Sequence, residues 1–163
     1  MTELYFAKLK PDAIIPSKDD EDAGYDMYAC FDEDYLEIQP GDINLVPSGV
    51  ATAIPKGYYM QVNERSSSGS RGLALRCGVV DSGYRGELFI AINNTGNKPI
   101  IICKKEFTAK FDPAKNTIWP YEKALVQGVI LPVPEFEVKE ISYDELKNIK
   151  SKRGDTAFGA SGK

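Results

Sequence analysis

The chain has 163 residues, a formal net charge of −4 and no histidine, which suits one domain with a single hydrophobic core. The mildly acidic balance argues against a nucleic-acid interface, which usually needs a basic face. The lack of histidine excludes a Ser-His-Asp or Cys-His nucleophile and a histidine-ligated zinc site. No segment approaches the about 20 apolar residues of a membrane span, and no signal-peptide pattern opens the chain. The scattered Cys30, Cys77 and Cys103 indicate reduced core residues of a cytoplasmic protein.

The first unusual segment in chain order is the strand-like run Asp-Ala-Gly-Tyr-Asp-Met-Tyr-Ala at 22–29. Strands rarely carry aspartate, so Asp26 is either a functional carboxylate or one that stabilises a turn. A functional Asp26 would orient another residue or hold water around Mg²⁺, a cation that keeps much of its hydration.

A strand predicted at 58–62 leads into Arg-Ser-Ser-Ser-Gly-Ser-Arg-Gly at 65–72. Small residues let backbone N–H groups turn toward one point, and Arg65 adds a bidentate fork, so this loop suits a di- or triphosphate. The alternative is an ordinary solvated serine-rich loop.

The segment Gly-Val-Val-Asp-Ser-Gly-Tyr-Arg-Gly at 78–86 predicts a β-hairpin that turns at Ser-Gly. Asp81 would end a strand, where a carboxylate can reach into a cleft and act as a general base. Tyr84 supplies a flat face for a sugar or a base. Alternatively, Asp81 only stabilises the turn through its own backbone.

Further strands are predicted at 88–93, 100–103 and 125–133 from alternating or β-branched residues. Ser142 and Glu145 form a capping-box pattern for one short helix. Residues 151–163 are small and Gly-rich, which predicts a mobile tail that either folds over a nucleotide or stays disordered. The chain therefore predicts one all-β sandwich or barrel with one helix and a flexible tail.

Together these segments resemble the five ordered motifs of the trimeric dUTPase family. The matching residues are 23–27, 65–67, 78–86, 125–127, and Arg153, Gly154, Phe158, Gly159, Ser161 and Gly162. The resemblance implies a distorted jelly-roll subunit and a homotrimer in which each active site draws on all three chains. It implies hydrolysis of dUTP to dUMP and pyrophosphate, with Mg²⁺ bridging the triphosphate.

The resemblance also implies a role for each matched residue. Asp81 would activate the attacking water, and Tyr84 would pack on deoxyribose. The base would be read by the backbone of Gly78, Val79, Val80 and Asp81, the phosphates held by Arg65, Ser66, Ser67, Gln127 and Arg153, and uracil covered by Phe158 with Gly159. The connector at 95–120 is longer than is usual for the family, and its aromatic residues favour an extra hairpin packed on the trimer over a site for a protein partner.

Two other functions compete with this interpretation. A dCTP deaminase would share the fold but needs a glutamate where this chain has Ala91. A regulatory protein could keep the dUTPase fold without catalysis, a hypothesis that the long connector motivates.

Overall fold

The computed structural model describes residues 3–155, in which eleven strands, two short α-helices and one 3₁₀ helix follow one another. The strands are β1 (Tyr5–Lys8), β2 (Tyr25–Met27), β3 (Tyr35–Ile38), β4 (Ile43–Ala53), β5 (Tyr58–Glu64), β6 (Leu73–Arg76), β7 (Val79–Asp81), β8 (Glu87–Asn94), β9 (Ile100–Cys103), β10 (Thr117–Pro120) and β11 (Val126–Pro132). The helices are α1 (Ser66–Gly69), the 3₁₀ helix (Lys105–Lys110) and α2 (Tyr143–Asn148). The all-β prediction is confirmed.

Three sheets enclose the core, with strand orders β1-β4-β8-β6, β10-β9-β3 and β2-β11-β5-β7. β-Branched and aliphatic side chains from all three pack together. The buried cluster includes Ile38, Met60, Ile90, Ile92, Ile100, Ile102, Trp119, Leu125 and Val126. All four residues of β9 are buried, which explains why this strand reads as a continuous apolar run without alternation.

Strand β8 departs from the predicted half-buried alternation. Phe89 is exposed as expected, but Ala91 and Asn93 are buried along with their apolar neighbours. The Asn93 amide donates to the carbonyls of Gly41 and Asp42, at 3.2 and 3.0 Å, and accepts from Arg76 at 2.9 Å. At Asn93 this face of β8 is therefore covered by hydrogen-bonded neighbours rather than by water, whereas at Phe89 it stays exposed.

The connector is not the extra hairpin that its aromatic residues predicted. β9 and β10 run parallel, with Ile102 beside Trp119, and the 3₁₀ helix lies in the crossover between them. Parallel neighbours need a crossover of about a dozen residues, which this connector supplies. Trp119 is fully buried in the main core, so the segment is part of the fold. The alternative of a partner site at 95–120 stays a prediction.

The segment after β11 carries the predicted helix. Ser142 accepts a hydrogen bond from the Glu145 amide at 3.2 Å, and the Glu145 carboxylate accepts from the Ser142 amide at 2.8 Å, so the capping box is confirmed. Phe136 and Val138 before the helix are 81% and 94% exposed. No helix within residues 3–155 is long and apolar enough to cross a bilayer.

Candidate active site

Asp26 and Arg65 form an ion pair between two neighbouring regions of one sheet. Asp26 lies on β2, and Arg65 follows the end of β5; β11 separates the two strands. The Arg65 Nε lies 2.9 Å from Asp26 Oδ1, and the two side chains are 32% and 30% exposed. A second guanidinium nitrogen of Arg65 donates to the Ala124 carbonyl at 3.4 Å. These contacts fix the guanidinium plane while leaving part of its fork in solvent.

The electrostatics at Asp26 favour keeping a cation beside it. Burial raises the pKa of Asp26 above its usual range, and the nearby carboxylates of Asp22 and Asp19 raise it further. Only the Arg65 charge opposes this shift. Asp26 is therefore a half-buried carboxylate whose charged form depends on its positive partner.

Gln127 joins the same group from β11. It lies opposite Asp26 on β2 and Asn63 on β5, and its side-chain amide donates to the Glu64 carbonyl at 3.0 Å. A Cβ at Gly24 would lie 2.9 Å from the Cβ of Gln127, so a side chain at this position would displace Gln127 from this packing. The structure thus brings together Gly24, Asp26, Arg65 and Gln127, hereafter the Arg65 cluster.

The serine loop forms the short helix α1, with Arg65 at its N-cap. Ser68 is fully buried, and its hydroxyl accepts from the Arg65 amide and donates to the Arg65 carbonyl, both at 3.1 Å. Ser66 is exposed and Ser67 half-buried. Sequence reasoning missed the anchoring role of Ser68, because three consecutive serines give no sign of which one points inward.

The segment 78–86 turns where the sequence predicts, but its two strands do not pair with each other. β7 pairs with β5, placing Tyr59 opposite Asp81, whereas β8 pairs with β4 and β6. The antiparallel neighbours here are β6 and β8. The chain between them leaves their sheet, and its strand β7 joins the sheet of β5. Cys77 begins this crossing with a left-handed backbone, φ 53°, and is exposed, not a core residue as predicted.

Gly78 makes the crossing possible. Its carbonyl accepts hydrogen bonds from the Val62 amide at 2.7 Å and from the Gln61 side chain at 3.3 Å. A Cβ at Gly78 would lie 2.6 Å from the Val62 carbonyl oxygen. The backbone of β7 is therefore held against β5 at a distance that excludes a side chain.

Asp81 and Tyr84 line one open pocket of about 220 Å³, hereafter the Asp81 pocket. Its lining is completed by Cys77, Val79, Val80, Glu87, Leu88 and Phe89. Tyr84 is 44% exposed, its hydroxyl donates to the Glu87 carbonyl at 2.9 Å, and its amide donates to the Asp81 carbonyl at 3.1 Å. The pocket combines an accessible carboxylate, an aromatic face and strand backbone.

The Arg65 cluster and the Asp81 pocket lie at opposite ends of β5. Asp81 is beside Tyr59, and Arg65 follows six residues later. Six steps of extended chain span roughly 20 Å, much more than the length of a triphosphate. One chain therefore does not bring the predicted catalytic carboxylate and phosphate-binding groups onto a single triphosphate.

The predicted tail residues fall partly outside the described chain. Arg153 is exposed, and its amide donates to Ser151 Oγ at 3.2 Å. Phe158 and Gly159 lie outside the described residues, so their predicted stacking over uracil stays a prediction.

Residues 10–111 match the family model of dUTPase. The chain is 38% identical over 167 residues to the deoxyuridine 5'-triphosphate nucleotidohydrolase of Mycolicibacterium gilvum (strain PYR-GCK), covering 99% of this chain and 96% of that protein. A nucleotidohydrolase of the same name from Leptospira interrogans is 36% identical over 104 residues, covering 61% of this chain and 71% of that protein. The chain belongs to the dUTPase family.

Solved structures agree. A mutant dUTPase of Staphylococcus bacteriophage 80alpha with dUpNHpp is 25% identical, covers 100% of both chains and superposes with a TM-score of 0.78. A dUTPase from phage phi11 of S. aureus, described as coordinating a structural Mg(II) ion, is 24% identical with a TM-score of 0.69, covering 88% of this chain and 99% of that one. The predicted jelly-roll fold is confirmed.

Proposed function

We propose that this protein is a dUTP diphosphatase that hydrolyses dUTP to dUMP and pyrophosphate by water attack at the α-phosphorus. Its relatives are named for this activity, and the 80alpha dUTPase holds a dUTP analogue. The observation that carries the proposal is the Asp81 pocket, where a carboxylate and an aromatic ring flank an exposed strand edge. This combination suits a nucleoside and the water that attacks its first phosphate.

The base is read by the backbone of β7. Within the described chain β7 is the last strand of its sheet and pairs with β5 alone. The other edge of β7 therefore offers fixed N–H and C=O groups, which are ready to pair with an extended partner or with the edge of uracil. Fixed backbone groups leave little room for the methyl group of thymine.

Asp81 and Tyr84 act on the rest of the nucleoside. Asp81 is exposed to the pocket and accepts a proton from the attacking water, so that the hydroxide-like oxygen adds to the α-phosphorus. Tyr84 packs its ring on deoxyribose and excludes a 2′-hydroxyl. Pyrophosphate leaves as the bond to the β-phosphate breaks.

The Arg65 cluster holds the phosphates. Arg65 offers a planar fork already oriented by Asp26 and Ala124, a geometry that suits bidentate phosphate binding. Ser66, Ser67, Gln127 and, from the tail, Arg153 complete the predicted set.

The Arg65 cluster would accept Mg²⁺ only as an ion that arrives bound to the triphosphate. Within residues 3–155 no group of three or more metal-binding side chains lies together, and Mg²⁺ commonly uses one or two carboxylates, waters and substrate phosphates. Asp26 would hold one of the ion's waters. When bound, the ion neutralises the charge that develops on the leaving pyrophosphate.

Active sites are shared between chains. Asp81 and Arg65 are separated by roughly 20 Å within one chain, which supports a site where each triphosphate meets these residues from different subunits. A second observation supports an assembly: Ile43, Leu45 and Phe89 on β4 and β8 are 59%, 58% and 49% exposed. A homotrimer closes such head-to-tail contacts into a ring and covers apolar surface.

The structure gives no support to the deaminase alternative, because the position of the required glutamate is occupied by Ala91. Ala91 is buried within β8, where a glutamate would have to stand. No contact within residues 3–155 favours a purely regulatory role.

The test is pyrophosphate release from dUTP, dTTP, dCTP and UTP with Mg²⁺, for the wild type and Asp81→Asn in parallel. We expect release from dUTP alone, lost in the variant, with nucleotide binding retained because the substitution removes the base and keeps the shape. Equal loss of binding and turnover would count against the general-base role. Ammonia release from dCTP would instead identify a deaminase.

A further inference from the structure

The Tyr84 ring is held in one orientation by residues close to it in the chain. Its hydroxyl donates to the Glu87 carbonyl at 2.9 Å. A Cβ at Gly86 would lie 2.5 Å from that hydroxyl, so the ring folds back over a position that only glycine can occupy. The position of the ring in the Asp81 pocket therefore depends on where the Glu87 carbonyl stands.

The Glu87 side chain is tied to a separate strand. Its Oε1 accepts a hydrogen bond of 2.7 Å from the Gly49 amide. The pairing of β4 with β8 skips from Pro47–Phe89 to Ala51–Glu87, so Gly49 lies in a bulge. The Glu87 carboxylate supplies the acceptor that the interrupted ladder does not.

The anchor at Gly49 is rigid. Its backbone has φ +65°, and a Cβ there would lie 2.8 Å from Cys30 Sγ and 3.0 Å from Ala13 Cβ. Its carbonyl accepts from the Leu9 amide at 2.7 Å. Because the bulge is packed and bonded on both sides, a carboxylate tied to it has little freedom.

We propose that Glu87 is a positioning residue that sets the preference for deoxyribose over ribose. Its carboxylate, bound to the Gly49 bulge, fixes the carbonyl that orients the phenol of Tyr84. A ring fixed in this way lies at a constant distance from the bound sugar. A 2′-hydroxyl on that sugar would then clash with the ring. A ring released from this tether can move aside and admit ribose. This inference rests on the proposed function of the Asp81 pocket.

The effect should be visible as a loss of selectivity rather than a uniform loss of activity. In Glu87→Ala, we expect the ratio of kcat/KM for dUTP to that for UTP to fall about fivefold. This is less than the full worth of a hydrogen bond to a carboxylate, because the lost bond acts on the Tyr84 ring only through the Glu87 carbonyl. Glu87→Gln keeps an amide oxygen for the Gly49 amide and should restore the ratio to within about twofold of the wild type. Since both act on one ring, Tyr84→Phe combined with Glu87→Ala should be no less selective than Tyr84→Phe alone.

The experiment measures kcat and KM for dUTP and UTP in the wild type and these variants, with Glu87→Asp as a shortened tether in case Glu87→Ala does not fold. Calorimetric binding of dUMP and UMP gives the ratio of their dissociation constants, which reports the preference between the two sugars without turnover. If the wild type does not hydrolyse dUTP, the proposed function is refuted. The ratio of dUMP to UMP affinity still tests the role of Glu87 in that case. Two results would show that Glu87 is only structural and overturn the proposal. The first is that Glu87→Ala or Glu87→Asp lowers kcat/KM equally for dUTP and UTP. The second is that Glu87→Gln loses as much selectivity as Glu87→Ala.

Discussion

Gly78→Ala is the substitution whose consequences the structure defines most closely. The added Cβ would lie 2.6 Å from the Val62 carbonyl oxygen and 2.8 Å from Gln61 Nε2. A backbone oxygen within a sheet cannot move aside as a side chain can, so β7 must shift away from β5. The bond of 2.7 Å between the Val62 amide and the Gly78 carbonyl lengthens in the same movement.

The magnitude follows from the contact. Overpacking of this kind costs typically about 2 kcal/mol of unfolding free energy, which lowers the Tm of a chain of this size by about 4–8 °C. Activity should suffer more. Asp81 is carried by the same three-residue strand, and misplacing a reacting group by about 1 Å can cost on the order of 100-fold in rate.

Gly83→Ala is the matched control, because a Cβ at Gly83 meets nothing within 4 Å. Tm and kcat/KM for dUTP should be measured for both variants at one protein concentration, since the Tm of a chain that forms an oligomer, as proposed for this one, depends on concentration. We expect Gly83→Ala to keep the wild-type Tm within about 2 °C. If Tm and kcat/KM of Gly78→Ala match those of Gly83→Ala, the close approach of the Gly78 and Val62 backbones does not limit the side chain at position 78.

Three further results are expected. Asp26→Asn should change stability by less than about 1 kcal/mol, because its pair with Arg65 is partly exposed, yet raise KM for dUTP; an unchanged KM would remove Asp26 from the site. In Tyr121→Phe, the hydrogen bond of 3.0 Å to Asp12 is lost, and with it the main cause that holds the pKa of Asp12 below its ordinary value. The stability that the lowered Asp12 pKa contributes is present above the ordinary aspartate pKa and is lost as pH falls through the lowered folded pKa. The difference in unfolding free energy between the variant and the wild type should therefore be largest near neutral pH and shrink in acid. A difference that stays constant across this pH range in urea unfolding would contradict the prediction. Truncation after Ser151 should leave the wild-type circular dichroism with severely reduced turnover, and unchanged kinetics would show that the tail does not act on substrate.

Local signals in the sequence were sufficient where structure depends on neighbouring residues. The strand at 100–103 and the Ser142 capping box are confirmed at the predicted positions, because continuous β-branched runs and reciprocal caps are set by local geometry. The turn at Ser-Gly before Tyr84 is also confirmed. For the site, the sequence identified the residues that carry charge or an aromatic face.

Long-range pairing lay beyond those signals. Nothing local distinguishes a hairpin from the observed crossing of β7 to β5, which depends on Gly78 fitting against Val62. The parallel pairing of β9 and β10, which buries Trp119 in the shared core, is not encoded in the connector's own composition. The distance between Asp81 and Arg65 is likewise a property of strand register, which a sequence pattern does not contain.

Complementation between two inactive variants tests whether each site of a dUTP diphosphatase combines Asp81 of one chain with Arg65 of another. Asp81→Asn and Arg65→Gln would be co-expressed with different affinity tags and purified through both, so that every trimer is mixed. Each variant alone should be inactive, whereas a mixed ring of three contains one site with both native residues and should release pyrophosphate from dUTP at about one third of the wild-type rate. Mixed trimers as inactive as their parents would contradict the shared site and return both residues to a single chain.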